Sequence, residues 1–117
     1  MKSPDNAIAF LGPTGTYSHE ATLAFAKRLG IESPDFIECT SFDEVFDCVD
    51  RGRCEFGVVA KENSIEGPVT ATLDGFALKS TSVILGEEVV DIHHCLVVNP
   101  DAKLEDITTV ASHAQGL

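Results

Sequence analysis

Ala7-Ile8-Ala9-Phe10-Leu11-Gly12-Pro13-Thr14-Gly15-Thr16-Tyr17-Ser18-His19-Glu20-Ala21 is the stretch whose reading decides the fold. Its first five residues are a continuous apolar run of the length of a fully buried strand. The next residues form a loop rich in glycine and hydroxyls, and Tyr17, Ala21, Ala24 and Phe25 then fall on one face of a helix. A helix start leaves its first N–H groups without partners inside the helix and carries the positive end of the peptide dipoles, so it can receive a carboxylate or phosphate. Gly12 and Gly15 allow a close approach of backbone to ligand, and Thr14, Thr16 and Ser18 add hydroxyls. The stretch lacks the lysine of a phosphate-gripping P-loop and the GxGxxG spacing of dinucleotide folds. Taken alone, it reads first as a tight turn and a helix capped by Thr16 or Ser18.

The design continues outward from there. Gly30 ends the first helix, Phe36 to Cys39 is a second short strand, and Ser41 with Glu44 makes a capping box that opens a second helix. Phe42, Val45, Phe46 and Val49 form its apolar face, Gly52 stops it, and Phe56-Gly57-Val58-Val59-Ala60 is a third strand. Strand, helix, strand, helix, strand with short connections predicts an α/β fold, an open and mostly parallel sheet with helices on both faces. A second polar loop, Lys61-Glu62-Asn63-Ser64-Ile65-Glu66-Gly67-Pro68, leads into a helix with Val69, Leu73, Phe76 and Ala77 on one face. Both loops leave strands at the carboxyl edge of the sheet, where open α/β sheets bind ligands. From Ser82 to Val98 the pattern becomes a long extended run broken by Gly86. Leu104 to Ile107 reads as a helical turn and Thr109-Val110-Ala111 as a last strand. Ser112-His113-Ala114-Gln115 has capping-box spacing at the end of the chain, which reads either as a helix start that is cut off or as a frayed terminus.

The chain has 117 residues, enough for one small domain, and 44% of them are hydrophobic. A formal net charge of -11 with eight Lys and Arg argues against nucleic acid and anionic membranes as partners. It also opposes any anion, so attraction has to come from local donors or from a basic group nearby. Cys39, Cys48, Cys54 and Cys95 show no CxxC or zinc-finger spacing and are read as small buried apolar residues. The run Ala7 to Leu11 is too brief for a signal-peptide core and no apolar stretch could span a bilayer, so a cytoplasmic location is expected.

Few other constellations suggest chemistry. Consecutive strand residues point to opposite faces, so His93-His94-Cys95 cannot jointly hold one ion, and no metal is expected. Glu62 and Glu66 are open to an acid/base pair or to two solvated loop carboxylates. Asp43, Glu44, Asp47 and Asp50 read as the wet face of their helix. His19, beside a helix start, suits a neutral hydrogen-bonding role or simple packing of the first turn.

Together, Ala9 to Ala21, Gly57-Val58-Val59, Glu62-Asn63-Ser64-Ile65-Glu66-Gly67, Thr72-Leu73-Asp74, Ile92-His93-His94-Cys95-Leu96 and Ser112-His113-x-Gln115 resemble the amino-terminal part of prephenate dehydratases. The resemblance covers nearly the whole chain, in order. It implies a two-lobed fold like type 2 periplasmic binding proteins, with residues up to about 80 in the first lobe and 81–117 beginning an incomplete second lobe. It further implies decarboxylative dehydration of prephenate to phenylpyruvate in phenylalanine biosynthesis, with no cofactor. Separately, a homo-oligomer is expected, in which another copy satisfies the cut edges through exchanged strands or helices. By position, Glu62, Asn63 and Gln115 are the implied catalytic residues. Thr14, Gly15, Thr16, Ser18 and Ser64 are the implied substrate-binding residues. The alternative is a non-catalytic small-anion binding module of the periplasmic type. Ala114 replaces the family's usual proline, and Ala60-Lys61 stands where Pro-Ile is common. The family's Thr-Arg-Phe motif, with its proton donor and cationic anchor, does not occur in the chain, and neither does the ACT domain. The expectation is therefore a front portion of the enzyme, inactive by itself.

Overall fold

Alternation along Ala7 to Leu11 sorts the core into two layers, as seen in the computed structural model, which describes residues 4–64 and 67–112. Strand β1 (Ala7–Leu11) lies between β2 (Asp35–Cys39) and β3 (Phe56–Val58), and both pairings are parallel. Ala7 and Ala9 pack with Cys39, Val45, Cys48 and Cys54 on one face of the sheet. Ile8 and Phe10 pack with Ala26 and Val58 on the other. Helix α1 (Tyr17–Arg28) covers the second face and α2 (Phe42–Asp50) the first. The chain moves from β1 to one neighbour and then back across β1 to β3, so right-handed crossovers put the two helices on opposite faces. The expected α/β sheet with helices on both faces is thus what forms.

Local signals set the helix ends. Thr16 caps α1, its hydroxyl accepting from His19 N at 3.2 Å, and Ser41 caps α2, accepting from Glu44 N at 3.1 Å. Each such cap contributes about 1 kcal/mol. The Glu44 carboxylate does not return to the cap itself; it accepts from the backbone N–H and hydroxyl of Thr40, both at 2.8 Å, one residue outside a standard capping box. Gly30 and Gly52 follow the two helices at φ +73° and +72°, a left-handed conformation that favours glycine. On α1, Ala21 and Phe25 pack inward as expected, while Tyr17 is exposed and Thr22 takes a fully buried place, donating its hydroxyl to Ser18 O at 2.6 Å.

Beyond β3 the expectations need correction. The third strand ends at Val58, two residues early, and the second polar loop is a small antiparallel hairpin, β4 (Glu62–Asn63) with β5 (Gly67–Pro68). Helix α3 (Thr70–Asp74) continues as a π-helical turn over Gly75–Lys79. It lies on the α2 side of the sheet, where the rings of Phe46 and Phe76 meet edge to face at 4.9 Å. Residues 80–112 form no strand and no α-helix; the expected turn near Leu104 is a 3-10 turn, Leu104–Asp106, and the strand expected at Thr109-Val110-Ala111 is absent. Cys39, Cys48 and Cys54 are buried as expected, but Cys95 is exposed, in a segment that forms no strand and no helix. The capping-box pattern Ser112-His113-Ala114-Gln115 lies, apart from Ser112, outside the described residues.

Candidate functional site

Three strand ends meet at the carboxyl edge of the sheet. The loop after β1 is tied to the end of β2, where Gly12 N donates to Cys39 O at 2.9 Å. It is held further by Glu38, a β2 residue in register with Phe10 of β1. Thr14 donates both its backbone N–H, at 2.9 Å, and its hydroxyl to one carboxylate oxygen of Glu38. These bonds, the hydroxyl's first, hold the Glu38 carboxyl below its ordinary pKa. Gly15 N donates to His19 Nδ1 at 3.0 Å, which leaves the ring proton of a neutral imidazole on Nε2. The His19 ring is stacked on Phe10, centroids 5.3 Å apart, and meets the edge of Phe36. His19 thus both packs the first turn and accepts a loop hydrogen bond.

The first loop is therefore not the open anion receiver that its sequence suggests. Its Thr14 and Gly15 donors are engaged by Glu38 and His19, and the Thr16 hydroxyl points back to Leu11 O at 3.4 Å while capping α1. What stays outward is the start of α1, where the N–H groups of Tyr17 and Ser18 have no partner within the helix.

The second loop leaves β3 on the other side of β1. Lys61 accepts from Val69 N at 2.7 Å through its carbonyl, closing the base of the β4–β5 hairpin. Glu62 and Ser64 are exposed and Asn63 is half-buried, opposite Gly67. Glu66 and Gln115 lie outside the described residues. Sheet order brings Thr14, Gly15, Thr16 and Ser18 to the same edge as Glu62, Asn63 and Ser64. The chain leaves β1 toward the α1 face and, after the hairpin, leaves β3 toward the α2 face. That divergence is a topological switch point, where a crevice opens between neighbouring strand ends. A concavity of about 390 Å³ lined by Leu23, Ala26, Gly30 and Pro34 sits at the opposite edge, beside the start of β2, away from these loops.

Several interactions escaped the sequence reading. Glu38 carried no signal beyond its place in a strand, because its meeting with Thr14 depends on β2 lying beside β1. Asp50, read as solvated, accepts from Ser80 Oγ at 2.8 Å, Ser82 Oγ at 2.9 Å and Thr81 Oγ1 at 3.4 Å. The run Ser80-Thr81-Ser82 was the available cue. No group of three or more His, Cys, Asp or Glu side chains is placed to hold a metal ion among the described residues.

Comparison with known proteins matches residues 8–117 to the family model described as prephenate dehydratase. The chain is 44% identical over 110 residues to a bifunctional chorismate mutase/prephenate dehydratase of Pseudomonas aeruginosa, covering 94% of this chain and 29% of that protein. It is 36% identical to a prephenate dehydratase of Corynebacterium glutamicum, covering 99% of this chain and 38% of the relative. The chain thus spans roughly a third of the length of these relatives. The solved structure of prephenate dehydratase from Streptococcus mutans superposes with a TM-score of 0.58 at 29% identity, over 64% of this chain and 37% of that one.

Proposed function

The chain belongs to the prephenate dehydratase family, and we propose that it supplies one wall of the cleft in which prephenate is converted to phenylpyruvate. On this reading residues up to about 80 are the first lobe of a periplasmic-binding-protein-like catalytic domain and 81–117 begin the second. The observation that supports it best is the pair of loops, after β1 and after β3, flanking the switch point of a parallel sheet.

The reaction breaks two bonds of the substrate. The bond from ring to carboxylate gives its electron pair to the ring, carbon dioxide leaves, and the ring hydroxyl departs as water after taking up a proton. Aromatisation drives the step, so the protein's task is to hold two carboxylates, place a proton near the hydroxyl and keep water out. Asn63 and Ser64, on the hairpin and its turn, are the proposed donors to substrate oxygens, with Glu62 and Gln115 completing the catalytic set. The start of α1, with Thr16 and Ser18, would receive a carboxylate, while Thr14 and Gly15 shape the floor beneath it. The site requires no cofactor in this scheme, and the enzyme would act in the cytoplasm as a homo-oligomer. No helix among the described residues is long and apolar enough to cross a membrane.

The test is conversion of prephenate by the protein as encoded in full, with phenylpyruvate and carbon dioxide measured together. Formation of both in equal amounts is expected. Tight binding of prephenate without turnover would instead favour a small-anion binding module. In an active enzyme, Asn63→Ala is predicted to lower kcat about a hundredfold, the scale for losing one oriented donor, with the unfolding midpoint unchanged. Unaltered turnover would remove Asn63 from its role.

A further inference from the structure

The loops at this edge carry a single positive charge. Of the eight Lys and Arg in the chain, only Lys61 falls in either 12–16 or 59–68. Its backbone is fixed by the bond from Val69 N, but its side chain, three residues beyond β3, is more than half exposed. Its ammonium lies 3.5 Å from Glu87 Oε1, a long contact between two exposed groups. Such pairs contribute little and exchange readily. The surroundings of Glu87 are more firmly held: Arg28 donates to the Glu87 carbonyl at 2.7 Å and to the Glu88 carboxylate at 2.8 Å. Glu88 is thereby neutralised, which leaves the Glu87 carboxylate to Lys61.

We infer that Lys61 draws in and seats one carboxylate of the substrate, and that Glu87 is the internal counter-ion which that carboxylate displaces. The inference rests on the proposed reaction of a dicarboxylate at this site. Three observations carry it. The Thr14 and Gly15 donors of the first loop are already used by Glu38 and His19, so they do not supply the attraction. The net charge of -11 on this chain gives an anion no long-range attraction, and a cation close to the loops adds a local one within a screening length. Lys61 also immediately precedes Glu62 and Asn63, so its backbone stands at the base of the hairpin that would position the substrate, with its side chain exposed.

A mere strap between Lys61 and Glu87 makes a different prediction, because breaking either end of a strap has the same effect. Displacement gives opposite effects. In the protein as encoded in full, Lys61→Gln is predicted to raise KM for prephenate about three- to tenfold with kcat little changed, and the gap from the parent protein narrows as salt is added. Lys61→Arg keeps KM low. Glu87→Gln lowers KM about twofold, and that gain disappears in the Lys61→Gln background. Binding of prephenate is followed in parallel by calorimetry. If the parent protein binds and converts prephenate but Lys61→Gln leaves KM and affinity unchanged at low salt, the inference alone falls. A rise in KM for Glu87→Gln matching that of Lys61→Gln also overturns it, in favour of a strap. If the parent neither binds nor converts prephenate, the proposed function and the inference fall together.

Discussion

Residues 7–79 and 80–112 are both rich in apolar side chains, yet only the first set builds a core. In the first, Ile8, Ala9 and Phe10 have no exposed surface, and each face of β1 meets a helix. In the second, Val83, Val89 and Val97 are 84%, 89% and 86% exposed. The second region is fastened by polar contacts instead: the hydroxyls of residues 80–82 on Asp50, and Glu87 and Glu88 on Arg28. Hydrophobic content by itself does not order a segment. It stabilises only where another apolar surface removes it from water, and a strand needs a neighbour for its N–H and C=O groups.

The sharpest way to break this contrast is to truncate one apolar side chain in each region. Phe10→Ala is predicted to cost about 3–5 kcal/mol, a large part of the stability of a domain this size, by urea denaturation. Val89→Ala is predicted to move the same transition by less than about 0.5 kcal/mol. A cost at Val89 comparable to that at Phe10 would mean the second region has a packed partner.

A smaller effect tests the polar fastening. Asp50→Ala removes the acceptor shared by Ser80, Thr81 and Ser82, and limited proteolysis is predicted to cut residues 80–88 faster while the main unfolding transition stays put. Acid acts in the same direction. The Asp50 carboxyl lies below its ordinary pKa: burial opposes this, and the hydrogen bonds from Ser80 and Ser82 outweigh it. Because the folded value is the lower one, the contribution is complete above the ordinary carboxylate value and is lost as pH falls through the depressed one. Protease sensitivity of 80–88 should therefore rise only in that acidic range, and Asp50→Ala should abolish the pH dependence.

The smallest change lies on α3. Thr72 is fully buried and its hydroxyl has no hydrogen-bond partner among the described residues. Thr72→Val keeps the shape and removes an unsatisfied group, so stability is predicted to stay level or rise slightly. A loss above about 1 kcal/mol would show that the hydroxyl has a partner.

Much of the packed region was legible because its signals are local. The Ala7 to Leu11 run, the caps Thr16 and Ser41 and the stops Gly30 and Gly52 each act within a few residues, and each stands where the sequence puts it. The site was legible in outline only. Its two loops could be assigned to one edge from the order of strands and helices. That Thr14 is already engaged could not be read, because Glu38 is 24 residues away and reaches it through the β1–β2 register. The Lys61 and Glu87 pair, 26 residues apart, was hidden for the same reason. The strand expected at Thr109 to Ala111 failed in the opposite way: its composition is strand-like, but composition does not supply a neighbour.

The sequence by itself determined the alternation of strands and helices as far as β3, the caps and stops of the first two helices, and the family to which the chain belongs, because periodicity, capping and turn chemistry are settled between residues close along the chain. Only the tertiary structure decided the strand order β2-β1-β3, which donors at the site are already taken, and which apolar runs are buried. Those depend on residues far apart in sequence that the sheet brings side by side.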